Sequence, residues 1–255
     1  RKKAEFGVGI ARMEDRYFQT NIIDFSETKH DESTYSIFGG SIVLEGSTLN
    51  ARQFATQGSR EKMAAQIFTG TEHFRSGVSK VTKGTPEPYK KVQSWLQVSY
   101  QNETYHKVSP KFTLGAYLEA YYSSRNFSNN YTATLMQAGE FTPTAHSKVT
   151  YNEAFRANQY AGVGTMPIYQ LSESFQLRGE FYGFIPIFPI KKDEYGQAYY
   201  GKAFTKFEYL GEISLVFQLS FGSISAYVNH YSSPSNDWNV GLTLGWQLFN
   251  SRFVE

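Results

Sequence analysis

The stretch Glu212-Ile213-Ser214-Leu215-Val216-Phe217-Gln218-Leu219-Ser220-Phe221 decides the fold. Ile213, Leu215, Phe217, Leu219 and Phe221 share one parity, while Glu212, Ser214, Gln218 and Ser220 share the other, with only Val216 out of type. Successive side chains of a β-strand point to opposite faces, so this period of two predicts a strand with one apolar and one polar side. Outward along the chain the pattern recurs. Phe112, Leu114, Ala116, Leu118, Ala120 and Tyr122 alternate with Thr113, Gly115, Tyr117, Glu119 and Tyr121, and Val240, Leu242, Leu244, Trp246 and Leu248 alternate with Gly241, Thr243, Gly245 and Gln247. The second face holds Gly, Ser, Thr, Gln, Tyr and an occasional charge, which is how the wet interior of a membrane barrel is lined.

Counting such segments gives about twelve strands, near residues 4–12, 16–24, 34–45, 58–70, 91–102, 111–123, 131–138, 159–171, 175–187, 205–220, 222–232 and 236–249, with helical periodicity nowhere convincing. Tight connections (172–174, 221–222, 233–236) alternate with long polar ones (25–33, 71–90, 123–131, 191–204). Short turns at one end and long loops at the other are the asymmetry of an outer-membrane barrel. The expected fold is therefore all-β, a transmembrane antiparallel β-barrel forming one domain over residues 1–255. A soluble β-sandwich would alternate in a similar way, but its strands cluster near 5–6 residues, shorter than most segments here.

Composition agrees. The 255 residues include 19 Tyr, 21 Phe and 3 Trp, 17% aromatic, yet mean hydropathy is −0.45. A barrel needs apolar surface on alternate residues only and rings its interfaces with aromatics. The longest strongly apolar stretch, 181–190, contains two prolines and falls far short of the roughly 20 residues of a membrane helix. A formal charge of +2 implies no nucleic-acid partner, and the absence of Cys removes disulfides, thiolate metal sites and thiol nucleophiles. The chain opens at Arg1 without Met or a secretory pattern, so it reads as a fragment or processed chain whose export signal would lie upstream.

Catalytic motifs are missing. No G-x-S-x-G elbow, H-E-x-x-H, Walker loop, complete G-x-G-x-x-G or EF-hand spacing occurs, and no metal set or cofactor is expected. His30, His73, His106, His146 and His230 are dispersed; His146 beside Ser147, or His230 near Ser232, offers half of a nucleophile pair, but solvated loop histidines are the simpler reading. Asn126-Phe127-Ser128 and Asn130-Tyr131-Thr132 fit a glycosylation pattern that a bacterial barrel leaves unused. Arg1-Lys2-Lys3 and Lys191-Lys192 read as polar strand flanks, with contact to anionic lipid headgroups as the sharper alternative.

Several motifs carry a family resemblance. Residues 48–60, Thr-Leu-Asn-Ala-Arg-Gln-Phe-Ala-Thr-Gln-Gly-Ser-Arg, with Asn50, Phe54 and Gly58 as the marked positions, resemble the hairpin before the eighth strand of the BamA-type superfamily, with Ala55 where that family usually has Pro. Phe155-Arg156-Ala157-Asn158-Gln159-Tyr160 resembles the arginine motif at the tip of that family's sixth extracellular loop, and Gly179-Glu180-Phe181-Tyr182-Gly183 the strand motif whose acid receives that arginine. The resemblance implies an inward pair of Arg156 with Glu180, with Glu212 as the second choice of acid. Thr243, Gly245, Trp246, Leu248 and Phe249 fit the closing signal read by barrel-assembly machinery. Five predicted strands follow Arg156 and seven precede it, so in a 16-stranded ring about four would be missing from the amino-terminal side.

Within the superfamily, residues 141–148, 155–158, 199–201 and 221–231 resemble the carboxy-terminal barrel of bacterial patatin-like phospholipases. That implies a bacterial outer-membrane location, outer-membrane lipid and assembly machinery as partners, and an amino-terminal lipase domain on the same polypeptide, with a homodimer compatible. This chain would then be the anchor, able to help export or position the lipase, and not itself an enzyme. A standalone transport or assembly barrel of the BamA type is the alternative reading.

Overall fold

A computed structural model describes residues 2–18, 29–77, 87–234 and 238–246. Ten long strands form one antiparallel sheet: β1 (Lys2–Tyr17), β2 (Asp31–Ser47), β3 (Gly58–Arg75), β4 (Tyr89–Lys107), β5 (Phe112–Ser123), β8 (Gln159–Gln170), β9 (Phe175–Pro186), β12 (Glu208–Leu219), β13 (Gly222–Tyr231) and β14 (Trp238–Trp246), each beside its predecessor. Between β5 and β8 lie helix α1 (Tyr131–Gln137) and two short paired strands, β6 (Gly139–Glu140) and β7 (Arg156–Ala157). Between β9 and β12 the hairpin β10 (Ile190–Lys192) and β11 (Ala198–Tyr200) stands clear of the main sheet.

The register shows what the alternation achieves. Phe6 lies opposite Ile42, Ile42 opposite Ala65, Ala65 opposite Val98 and Val98 opposite Tyr122; further round, Leu118 faces Val163, Leu177 faces Leu215, Leu215 faces Ala226 and Ala226 faces Leu242. One apolar face therefore runs without interruption across all ten strands. It is uncovered: Val8 is 81% exposed, Ile10 87% and Leu242 81%. A sandwich would bury this face against a second sheet, and among the described residues no second sheet lies against it. Its two edges, β1 and β14, each pair with one neighbour among the described residues, so the strands do not close into a ring.

The other face is covered by the chain itself from β4 to β13 and at the long-loop ends of β2 and β3, whereas β1 is exposed on both faces over residues 2–14. Residues 124–158 touch β1 and β2 through Asn130 and Gln137, and touch β12 and β13 through His146. One connection can reach both flanks only if the sheet curls around it. Beneath it Phe141, Phe155, Tyr160, Tyr182, Phe184 and Leu210 form the main apolar cluster. Burying each such side chain stabilises by about 1.5–3 kcal/mol, and the rings meet edge to face or offset, as Phe141 does with Tyr117, Tyr182 and Phe184.

Several sequence expectations are corrected. Among the described residues the sheet has ten long strands, not about twelve. Residues 4–12 and 16–17 belong to one continuous strand, and the rest of the segment expected at 16–24 lies largely outside the described residues. Residues 131–137 are helical: the Asn130 side chain accepts from the Ala133 N–H and so caps the first turn. Seven residues span only two turns, too few for periods of two and 3.6 to be told apart, and the cap decides. Five long strands, not seven, consequently precede Arg156. The tight connection expected at 233–236 is also at the end of the long loops, since β13 ends and β14 begins there while residues 220–221 turn at the opposite end; residues 235–237 lie outside the described residues.

Candidate functional site: the covered inner face

Two insertions fill the curl from opposite ends. From the short-turn end comes the β2–β3 connection, residues 48–57. Asn50 organises it: its Oδ1 accepts from the N–H groups of Thr56 and Gln57 at 3.0 and 3.1 Å, and its Nδ2 donates to Thr56 Oγ1. Gly58 closes the turn at φ +93°, where an added Cβ would lie 2.2 Å from the Thr48 carbonyl oxygen. Only glycine fits. The three residues marked in the sequence, Asn50, Phe54 and Gly58, thus build one turn, with Phe54 itself at φ 55°. Its tip reaches distant strands. The Phe54 carbonyl accepts from Gln176 and Gln218, the Ala55 carbonyl from Arg178 Nη1 at 2.9 Å, and Gln53 Oε1 from the Ser223 hydroxyl at 3.0 Å.

From the long-loop end, residues 124–158 fold inward. Asn130 Nδ2 donates to Asp31 at 3.1 Å and Gln137 Nε2 to Asp15 at 2.7 Å, which fastens one side. On the other side His146 is the anchor. Its Nδ1 lies 2.6 Å from Glu212 Oε1, its Nε2 lies 3.2 Å from Ser225 Oγ, and its ring stacks on Tyr227 at 3.7 Å and 13°. Asn229 Nδ2 also donates to Glu212. His146 and Glu212 are each 2% exposed. The two insertions meet where the rings of Phe54 and His146 approach to 6.4 Å.

The predicted charge pair is not the one formed. Arg156 Nη2 binds Glu140 at 2.8 Å, its Nη1 donates to the Leu135 carbonyl at the end of α1, and its guanidinium covers the Tyr151 ring at 4.9 Å. Partial burial raises the Tyr151 phenol pKa, and the neighbouring Arg156 opposes that shift. Glu180 pairs instead with Arg178 on its own strand and accepts from Tyr182. Glu212, the second choice, is taken by His146. The reason is geometric. Pairing of β6 with β7 sets Glu140 directly opposite Arg156, while Arg178, two residues before Glu180, shares its face and neutralises it. Arg178 also donates to Tyr105 at 2.7 Å, so both members of this buried pair have the extra hydrogen bonds such a pair needs.

His146 and Arg178 were missed as site residues. Arg178 carried a signal, since it stands at an inward parity two positions before an acid. His146, expected as a solvated loop histidine, is instead 2% exposed and does not pair with Ser147, because its partners Glu212 and Ser225 are 66 and 79 residues away. At the carboxy-terminal end, Thr243 and Gly245 lie in β14 opposite Ser225 and Ser223, and Trp246 pairs by its backbone with Gly222. Leu248 and Phe249 lie outside the described residues.

Ser225, His146 and Glu212 follow the order nucleophile, base, acid. Ser225 is nevertheless 1% exposed, sits mid-strand between β12 and β14, and has its hydroxyl covered by the loop that supplies the base. An acyl group has no approach to Oγ in this arrangement. What the cluster does is hold residues 141–149 against β12 and β13. Among the described residues no group of three His, Asp or Glu side chains is placed to hold a metal ion. No protein family, no curated protein and no solved structure matches this chain.

Proposed function

We propose that this chain is the membrane-spanning barrel part of a bacterial outer-membrane protein and serves as a plugged anchor. One observation carries the reading: the apolar face is continuous and uncovered over ten strands, while the opposite face buries charges beneath the chain's own loops. In lipid the exposed face is solvated by acyl chains, and the strands satisfy one another's backbone groups. The free edges of β1 and β14 would be unsatisfied in lipid, so further strands stand beside them in the working protein. A 16-stranded ring would need about six in addition to these ten.

The load on this anchor is a patatin-type lipid acyl hydrolase on the same polypeptide. Support for that comes from the motif resemblance of residues 141–148, 155–158, 199–201 and 221–231. A filled interior suits an anchor better than an open conduit. The membrane reading is tested by refolding the chain in micelles and in water. A β-rich, heat-modifiable species only with detergent supports it, and a stable, detergent-free β-rich monomer overturns it. The cargo is tested by sequencing upstream of Arg1: a G-x-S-x-G elbow supports the hydrolase, and repeated periplasmic modules alone support the transport alternative.

A further inference from the structure

We propose that the outward surface between β8 and β14 holds a dedicated binding site for one acyl chain of a membrane lipid. A groove of about 590 Å³ opens there in the exposed face, within the size range of small-molecule pockets. Glycines make its depth. Gly183 and Gly211 have outward parity, the former opposite Tyr209 and the latter opposite Phe181, so two adjacent strands present backbone where their neighbours present side chains. Phe181, Phe207, Ile213 and Val228 wall the space with apolar carbon.

The polarity is graded along the groove, and this selects the occupant. At the long-loop end the rim is built by Tyr209, His230 and Trp238, with Tyr209 stacked on His230 at 5.8 Å and Trp238 tilted against His230 at 4.9 Å. These side chains combine an apolar body with a polar tip and belong at a membrane interface. From Tyr209 to Ile213 the wall descends four residues, about 13 Å along the strand, into mostly apolar surface, with Thr165 as an outward polar side chain. A lipid fits that gradient, with its tail along Phe181, Ile213 and Val228 and the glycerol or headgroup at the ring-lined rim. An unpaired extended segment of protein would bring backbone polar groups to walls that offer them no partner.

The inference rests on the membrane reading above, and the experiment separates the two. The chain is reconstituted in nanodiscs doped with a phosphatidylethanolamine carrying a diazirine near the tail end, irradiated, digested and mapped. Heat-modifiability of the same sample reports insertion. Expected is labelling concentrated on the peptides bearing Phe181, Ile213 and Val228, falling roughly tenfold in Gly211→Val. A Cβ at Gly211 meets the Phe181 ring at an ordinary 3.6 Å, so the strand accepts a side chain there on the outward side where the groove lies. Ala116→Val, outward on β5, should leave the labelling unchanged. If Gly211→Val fails to insert, Phe207→Ala, which removes a wall, must lower the labelling instead. Inserted protein labelled evenly around the apolar face, or labelled alike in wild type and Gly211→Val, overturns the site. Inserted protein whose groove peptides stay unlabelled and cross-link to another polypeptide segment overturns the choice of a lipid. Failure of the wild type to insert removes the membrane reading, and the site with it.

Discussion

Replacing His146 by Ala should release the loop from the inner face. In the native chain the imidazole bonds Glu212 at 2.6 Å and Ser225 at 3.2 Å and stacks on Tyr227. Its removal leaves the Glu212 carboxylate, 2% exposed, with Asn229 at 3.4 Å as its remaining hydrogen-bond donor. Removing a hydrogen-bond donor from a buried acid costs about 1.5–3 kcal/mol, and losing the ring stack adds about 0.5–1.5 kcal/mol. Glu212→Ala removes the acid and leaves a polar ring nitrogen without its acceptor, at about 1–3 kcal/mol. The double variant no longer buries an unpaired carboxylate, so its loss should fall short of the sum by about 1.5–3 kcal/mol, the strength of a charge-assisted hydrogen bond. Urea unfolding in micelles measures the cycle. Limited trypsinolysis locates the change, because Arg125 and Arg156, each 9% exposed, flank the loop and become cleavable only when it withdraws. Additive losses within about 0.5 kcal/mol, or tryptic protection of both arginines in His146→Ala, would refute the latch.

Arg156→Ala and Glu140→Ala should couple by about 0.5–1 kcal/mol, since Glu140 is about one-third exposed, whereas Arg156→Ala and Glu180→Ala should add; coupling of the second pair in unfolding measurements would restore the partner that the motif implied. Arg178→Ala leaves Glu180 buried and should cost about 3–5 kcal/mol, with Glu180→Gln in the same background recovering part of it; no recovery would show that the arginine matters only for packing. Gly58→Ala, at φ +93° with its new Cβ 2.2 Å from a carbonyl oxygen, should cost at least about 1–2 kcal/mol in the midpoint of urea unfolding, and a neutral result would contradict the turn geometry. The purified chain should not hydrolyse short-chain esters; turnover that disappears in Ser225→Ala would convert the latch into a catalytic site.

The alternation of Ile213, Leu215 and Phe217 with Glu212, Ser214 and Gln218 settled the strand, its two faces and the parity of every inward residue, because pleating is local and each residue's side follows from its neighbour's. Gly58 was marked in the sequence only as a motif position, and its positive φ emerges from the turn that Asn50 organises. The helix at 131–137 was illegible, since seven residues cannot separate the two periods and the Asn130 cap looks in sequence like any polar loop residue. The charge partners were illegible for a different reason. Arg156 could have met Glu140, Glu180 or Glu212, and the outcome depended on which way the 124–158 loop folded and on Arg178 occupying Glu180 first. Parity places a charge on the inner face, but a pair forms across strands and loops far apart in the chain, and only the curl of the sheet brings His146 onto Glu212 and Ser225.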